Sequence, residues 1–271
     1  MSKIDNQQKI ITLGPKFSYS YNLSAKYFSD KNIITANTIS EIFQKTSGRV
    51  HGIVPIENML NGSIRETFLN LKNTNIKIFR AFDFKIEHIL AGQNKNFTTV
   101  ASHAQPLIQC GKFVDTLRKK GVEIMEVSSS SKAMQMSQKD RQIAAIGSVS
   151  AAEYYTVPII KKNISNQDGN YTRFIEIGKG KINKKGSKTS LIISPNVDRS
   201  GLLFEILAVF KIKELNLTKI ESISTGKGIN NYMFYIDIDS SLENSRMQEA
   251  IQFLQTFVEI NILGSYDILS D

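Results

Sequence analysis

Through the first two-thirds of the chain, short apolar runs alternate with helix-like patterns, and many of the runs end in a polar, hydroxyl-bearing loop. This alternation constrains the fold more than any other feature, because parallel strands need a crossover connection and a helix is the usual one. Lys9-Ile-Ile-Thr-Leu-Gly14 and Ile33-Ile-Thr-Ala36 read as buried strands, with Val50-His-Gly-Ile-Val54 as a third. Thr38-Ile-Ser-Glu41 and Ser63-Ile-Arg-Glu66 have capping-box spacing, in which a hydroxyl and a carboxylate satisfy the free N–H groups at a helix start. Thr99-Val-Ala101 enters a loop, and Pro106 suits the first turn of a helix whose Leu107, Ile108, Phe113, Val114 and Leu117 share one face. Val122 to Val127, a helix from the following serine run, and Ile143 to Gly147 continue the series. The class is α/β with largely parallel strands, whose ligands bind outside the carboxyl ends of the strands.

Beyond a basic run, Lys179-Gly-Lys-Ile-Asn-Lys-Lys-Gly-Ser-Lys188, the order of elements changes. Thr189 to Ser194 reads as a strand, Gly201 to Lys213 as an amphipathic helix, and Leu217 to Thr225 and Tyr232 to Asp239 as strands around a Gly-rich turn. Leu242 to Phe257 then reads as a helix and Ile260 to Asp267 as a last strand. The order βαββαβ is the ferredoxin-like split unit. The basic run carries no interleaved aromatic residues, so it reads as a solvated linker rather than a phosphate-contacting patch.

A length of 271 residues implies two or three packed units, and 41% hydrophobic with 22% charged residues is ordinary globular composition. The formal charge of +9 is spread along the whole chain, which favours a host for an anionic metabolite over a nucleic-acid binder. No apolar stretch is long enough for a membrane span, and the opening MSKIDNQQK has no signal-peptide core, so a cytoplasmic protein is expected. The single Cys110 excludes an intrachain disulfide framework. His51, His88 and His103 have no metal-ligand spacing, so no metal and no cofactor are expected.

The polar loops carry the candidate chemistry. Gly14-Pro-Lys-Phe-Ser-Tyr-Ser20 precedes a helix, and its hydroxyls and free N–H groups suit a carboxylate as well as they suit a helix cap. Glu57 and Asn58, in Val54-Pro-Ile-Glu-Asn-Met-Leu-Asn-Gly62, sit where a strand end faces either a cleft or a simple turn. Ser102-His-Ala-Gln105 and Ser128 to Ser131 hold comparable positions, and together the three hydroxyl-rich helix starts suggest an anion site. A Ser-His pair adjacent in sequence is not a catalytic dyad. In Asn170-Tyr-Thr-Arg-Phe174, Arg173 fits either a bidentate carboxylate clamp or a structural ion pair, and spacing does not choose between them.

Read in order, these segments resemble the prephenate dehydratase family over nearly the whole chain. Gly14-Pro15 with Ser18-Tyr19-Ser20 is similar to its Gly-Pro-x-Gly-Thr-Phe-Ser loop, and Gly52-Ile-Val-Pro-Ile-Glu-Asn58 with Gly62 to its Pro-Ile-Glu-Asn-Ser segment. Ser102-His-Ala-Gln105 with Gln109-Cys110 resembles Ser-His-Pro-Gln-Ala-Leu-x-Gln-Cys, and Ser129-Ser-Ser-Lys-Ala133 the Ser-Thr-rich turn. Ala144-Ala-Ile-Gly-Ser148 with Ala151-Ala-Glu-Tyr-Tyr155 resembles the Ala-Ala-Ile segment, and Asn170-Tyr-Thr-Arg-Phe174 the Thr-Arg-Phe signature. Lys188-Thr-Ser-Leu191, Gly201-Leu-Leu, Asn216 to Ser222 and Tyr232 to Asp237 resemble an attached ACT regulatory domain. The departures are Phe17 for the family's second glycine, Ser18-Tyr19 for its Thr-Phe pair, Met59 for the serine after Glu57-Asn58, Ala104 and Pro106 for the Pro and Ala of Ser-His-Pro-Gln-Ala, Gly201-Leu-Leu-Phe204 for Gly-Ala-Leu-Val and Glu221-Ser-Ile-Ser224 for Glu-Ser-Arg-Pro.

The resemblance implies a catalytic region, 1–180, of two periplasmic-binding-protein-like lobes, about 1–85 with 160–180 and about 86–159, then a linker at 181–188 and an ACT domain at 189–271. It implies a monofunctional enzyme that turns prephenate into phenylpyruvate, under feedback control by L-phenylalanine, in a homodimer or homotetramer without nucleic acid or membrane as partner. Arogenate dehydratase, or a non-catalytic two-lobed anion-binding or amino-acid-sensing protein, is the alternative. Thr172 would assist the leaving hydroxide. Ser18, Ser20, Ser102 and Ser130 with nearby amides would bind the pyruvyl carboxylate, and Asn58 and Gln105 would orient the ring. Arg173 would contact substrate, and Glu57 would be a structural acceptor. Gly201, Leu202, Leu203, Glu221 and Ser222 would receive the effector.

Overall fold

The structure, a computed structural model, describes residues 3–4, 7–72, 75–167, 169–197, 199–224 and 232–270. The first elements are β1 (Lys9–Leu13), α1 (Tyr19–Tyr27), β2 (Ile33–Ala36), α2 (Ile39–Lys45), β3 (Val50–Asn58), β4 (Gly62–Ser63), α3 (Arg65–Leu71) and β5 (Ile76–Lys85). There follow β6 (Ile89–Ala91), β7 (Thr99–Ser102), α4 (Ala104–Gln109), α5 (Gly111–Arg118), β8 (Glu123–Glu126), α6 (Ser130–Lys139), β9 (Ile143–Gly147), α7 (Val149–Tyr154) and β10 (Ile159–Lys161). The chain then forms β11 (Tyr171–Lys179), β12 (Lys188–Pro195), α8 (Leu202–Ile212), β13 (Leu217–Ser224), β14 (Tyr232–Ile238), α9 (Ser245–Leu254), β15 (Val258–Tyr266) and β16 (Ile268–Ser270). Two compact units result. Met1–Glu41, Asn58–Gly62 and Phe84–Thr172 make the first, and Ile42–Glu57, Ser63–Asp83 and Arg173–Asp271 the second.

In the first unit β1 and β2 pair in parallel, from Ile10 beside Ile33 to Leu13 beside Ala36. A five-stranded sheet of order β10-β6-β9-β7-β8 accompanies them. Its β7 is parallel to β8 and β9, whereas β6 is antiparallel to β9 and β10, two short strands with no clear sequence pattern. Alternation along the strands serves both faces. Ala101 and Ala145 meet Ala133, Met134, Ala151 and Ala152 of α6 and α7, while Val100, Ala144 and Ile146 meet Val114 and Leu117 of α5.

Two local expectations fail for identifiable reasons. The helix expected from Pro106 through Leu117 is two helices, broken at Cys110 with φ −107° and ψ 18°, and Ile108 is 73% exposed. Ser63 does not cap α3, because Ile64 holds that position without a side-chain bond, and the Ser63 hydroxyl instead donates to Glu221 (2.6 Å). Thr38 does cap α2, accepting from the Glu41 N–H (3.0 Å).

In the second unit β16-β5-β11-β3 lie side by side in that order. The C-terminal βαββαβ segment forms the antiparallel sheet β13-β14-β12-β15, the ferredoxin-like arrangement. The expected Gly-rich turn at 225–231 lies outside the described residues. Helices α8 and α9 cover one face, where Leu191, Ile193, Ile236 and Ile238 pack with Ile206, Phe210, Met247 and Leu254. Tyr235 meets Phe68 of α3 edge to face at 4.8 Å, and Lys77 donates to the Ile262 carbonyl (2.7 Å). The final strand β16 pairs in parallel with β5, from Ile268 beside Ala81 to Ser270 beside Asp83. Lys188, the end of the basic run, is not linker. It opens β12 and is buried, its ammonium bound to Asp239 (2.7 Å) and Thr218.

The docking of β15 on β5 depends on Gly264. Its φ is +143°, and a Cβ there would lie 2.6 Å from the Ile78 carbonyl oxygen, a backbone atom that cannot swing aside. Gly264→Ala is expected to lower stability by about 2–3 kcal/mol, as overpacking does. Urea denaturation would register this as a reduced midpoint at unchanged slope.

Candidate active site

The polar centre of the first unit is built on Asn58, at the end of β3. Its Oδ1 accepts from the N–H groups of Leu60 and Asn61, both at 3.1 Å, the turn that an asparagine after a strand readily forms. Two backbone donors fix which end of the amide is oxygen. The other end, Nδ2, therefore donates to Thr172 Oγ1 (2.9 Å), Asn170 Oδ1 (2.9 Å) and the Tyr171 carbonyl (3.2 Å). Met59 closes the same corner by donating its N–H to the Tyr171 carbonyl (3.0 Å), so the side chain that replaces the family's serine is not needed there. Asn58, Thr172 and Asn170 are all buried.

This arrangement sets the direction of the Thr172 hydroxyl. Its oxygen accepts from Asn58, which leaves its own proton to be donated elsewhere. The Asn170 oxygen faces Asn58, so its Nδ2 points away. That nitrogen is the one buried side-chain nitrogen or oxygen without a hydrogen-bond partner among the described residues. Sequence reasoning overlooked Asn170, although it stands two positions before Thr172 in the signature.

The serines expected to bind substrate mostly secure the loops. Ser18 caps α1, donating to the Leu13 carbonyl (2.8 Å) and accepting from the Tyr21 N–H, and Ser102 donates to the Ile146 carbonyl (2.8 Å). Ser20 is buried in α1, Ser130 is the half-buried first residue of α6, and Gln105 is exposed. Ser129 caps α6, while Ser131 donates to the Lys16 carbonyl (2.8 Å) and Ser148 to the Phe17 carbonyl (3.3 Å). The starts of α1, α6 and α7 are thus tied to one loop. Phe17 keeps the left-handed conformation suited to the family's glycine (φ 68°) and stacks on Tyr154 at 3.9 Å.

Gln109 and Cys110 serve structure. Tyr19 donates to the Glu87 carbonyl (2.7 Å) and lies 2.9 Å from His88 Nδ1, whose Nε2 is 2.6 Å from Gln109 Oε1. Burial pushes the Tyr19 phenol up, the His88 imidazole down and the Cys110 thiol up to about 12. Tyr19 and Cys110 are therefore held protonated, and His88 is held neutral with both ring nitrogens engaged. His103 sits at the start of α4 without a side-chain capping bond.

In the second unit Arg173 spends its fork on Asp83, with Nε to Oδ1 at 2.7 Å and Nη2 to Oδ2 at 2.9 Å. The bond to Asp83 raises its pKa further, which matches the structural ion pair rather than a substrate clamp. Glu57 accepts from Lys219 (2.7 Å), and Lys219 also donates to Ser63 (3.0 Å). The Glu221 carboxylate is taken by Ser63, and Ser222 is exposed on β13. Gly201 precedes α8 with φ +82° and open space where a Cβ would be. Leu202 points into the module's core, whereas Leu203 is 37% and Phe204 75% exposed.

Residues 10–182 match the family model for prephenate dehydratase. A prephenate dehydratase of Methanocaldococcus jannaschii is 36% identical over 275 residues, spanning 97% of this chain and 99% of that protein. The crystal structure of prephenate dehydratase from Staphylococcus aureus subsp. aureus Mu50 matches with a TM-score of 0.85 at 23% identity, over 96% of this chain and 100% of the other. That of Arthrobacter aurescens in complex with L-Phe matches with 0.84 at 23% identity, over 96% and 89%. The solved structures establish the fold class read from the sequence, two-lobed α/β with a C-terminal ferredoxin-like module. The sequence matches go further: the chain belongs to the prephenate dehydratase family.

Proposed function

We propose that Thr172 serves the departing hydroxyl in the conversion of prephenate to phenylpyruvate, the reaction of a carbon-oxygen hydro-lyase. The C–O bond breaks with its electron pair on oxygen. The C–C bond to the ring carboxylate breaks with its pair entering the ring, which becomes aromatic as carbon dioxide leaves. The departing oxygen takes one proton, passed from solvent through Thr172, and leaves as water. An alcohol is a poor acid toward the intact substrate but a fair match for departing hydroxide, whose conjugate acid has a pKa of about 15.7. The observation that carries this reading is the Asn58 amide donating to Thr172 Oγ1, which leaves the hydroxyl proton for the substrate.

The remaining roles follow from which donors are free. A carboxylate needs donors, and Ser18 and Ser102 give their protons to carbonyls. The pyruvyl carboxylate is therefore assigned to loop N–H groups at the starts of α1 and α6, with the Ser20 and Ser130 hydroxyls. Gln105 orients the ring, and Asn58 acts through Thr172. Arg173 holds β11 to β5 through Asp83.

Replacing Thr172 by valine keeps the shape and removes the proton, so kcat is expected to fall by about 10²-fold or more, while serine retains most of the activity. Phenylpyruvate formation from prephenate, with phenylalanine formation from arogenate in parallel, measures both the effect and the substrate preference. A folded Thr172→Val protein with kcat near wild type would remove Thr172 from the mechanism.

The same reading takes residues 1–180 as the catalytic region with the lobes given above, 189–271 as an ACT domain, and the enzyme as a cytoplasmic homodimer or homotetramer. L-phenylalanine, present in the Arthrobacter aurescens complex, is the proposed effector. Gly201 lets its amino-acid group approach the backbone, and the exposed Leu203 and Phe204 supply apolar surface. Strand β13 then carries the response through Lys219 to Glu57, the residue before Asn58. Lys219→Met is expected to raise the phenylalanine concentration for half-inhibition by about tenfold, on the order of a typical allosteric coupling energy. Dehydratase rates against rising phenylalanine test this, and an unchanged inhibition curve would exclude the relay.

A further inference from the structure

We propose that Asn170 is a second donor to substrate, its Nδ2 group hydrogen-bonding to the same leaving hydroxyl oxygen that Thr172 protonates. The inference rests on the Thr172 reading above and deepens it. Asn170 is 2% exposed, and a side-chain amide buried so completely costs stability when its N–H groups meet nothing. Among the described residues its nitrogen has no protein partner, whereas its oxygen is engaged by Asn58. The amide therefore cannot turn over to hide its donors without breaking the Asn58 bond.

The position of this nitrogen gives it a use. Asn170 Oδ1 and Thr172 Oγ1 both lie 2.9 Å from Asn58 Nδ2, so one amide holds both side chains, each with a donor turned away from it. As the C–O bond breaks, negative charge collects on the leaving oxygen. That oxygen has lone pairs for more than one donor. A neutral amide suits this position, because it stabilises developing negative charge without holding the ring carboxylate so tightly that decarboxylation is opposed. Thr172 then supplies the proton, while Asn170 supplies a fixed dipole that needs no reorganisation during the reaction. The recognised chemistry is an allylic ring alcohol across the ring from a carboxylate.

Asn170→Asp is the discriminating variant. It keeps the shape and the oxygen that accepts from Asn58, so Thr172 stays in place, but it replaces the free donor by a carboxylate oxygen. The expected result with prephenate at neutral pH is a kcat lower by about 10²-fold, the scale for loss of one preorganised donor. Part of the loss is recovered on acidification, where the new carboxyl is protonated and donates again, while the wild type shows no such gain. A folded variant with kcat within about threefold of wild type would overturn the proposal and leave the dehydratase reading standing. A wild-type protein without activity on prephenate would overturn the reading itself. Should the variant not fold, the wild-type protein labelled with 15N-asparagine decides. The Asn170 side-chain amide resonance is expected to shift on adding a ring-saturated prephenate analogue that keeps the hydroxyl, and an unmoved resonance would contradict the assignment.

Discussion

The Asn58 amide can hold Thr172 in a donating orientation only because its oxygen is already committed to two backbone N–H groups. A free asparagine would turn over at little cost and present its oxygen to the threonine, which would then spend its proton inward. The Leu60 and Asn61 amides prevent this by fixing one end of the side chain, so that the other end faces Thr172 and Asn170. The Thr172 hydroxyl is thus oriented by a neutral amide that the local turn chemistry of a strand end holds in place. This suits the reaction, because a carboxylate at that point would repel a dianionic substrate.

Around this centre most hydroxyls are used for shape. Ser18, Ser102, Ser131 and Ser148 each give their proton to a backbone carbonyl, which satisfies loop groups that the fold would otherwise bury unpaired. A loop assembled this way keeps its remaining N–H groups as fixed donors at helix starts. In the second unit, β13 brings Lys219 and Glu221 against Glu57 and Ser63, which bracket the Asn58 turn in sequence.

The alternation of strands and helices and the βαββαβ order were legible in the sequence because each rests on local pattern. The short strands β6, β10 and β16 were not legible, since three residues show no periodicity and pair only through tertiary contacts. Ser63 looked like a cap by spacing, but its hydroxyl is claimed by Glu221, far along the chain. Leu202, Leu203 and Phe204 could not be sorted by composition, because the helix start decides which of three adjacent apolar residues faces inward. Arg173 had two equal readings until Asp83 was found to fill its fork. Asn170 was missed because an unpaired buried nitrogen is a property of packing and leaves no trace in spacing.

Asn58→Asp separates the orienting role of Asn58 from its role in the turn. The carboxylate still accepts from Leu60 and Asn61 but cannot donate to Thr172, so it draws the threonine proton toward itself. The variant is expected to fold with a lowered thermal midpoint, because its buried carboxylate faces the Asn170 and Tyr171 oxygens, and to form phenylpyruvate from prephenate about 10²-fold or more slowly. A folded Asn58→Asp protein that turns over prephenate at the wild-type rate would contradict the orienting role.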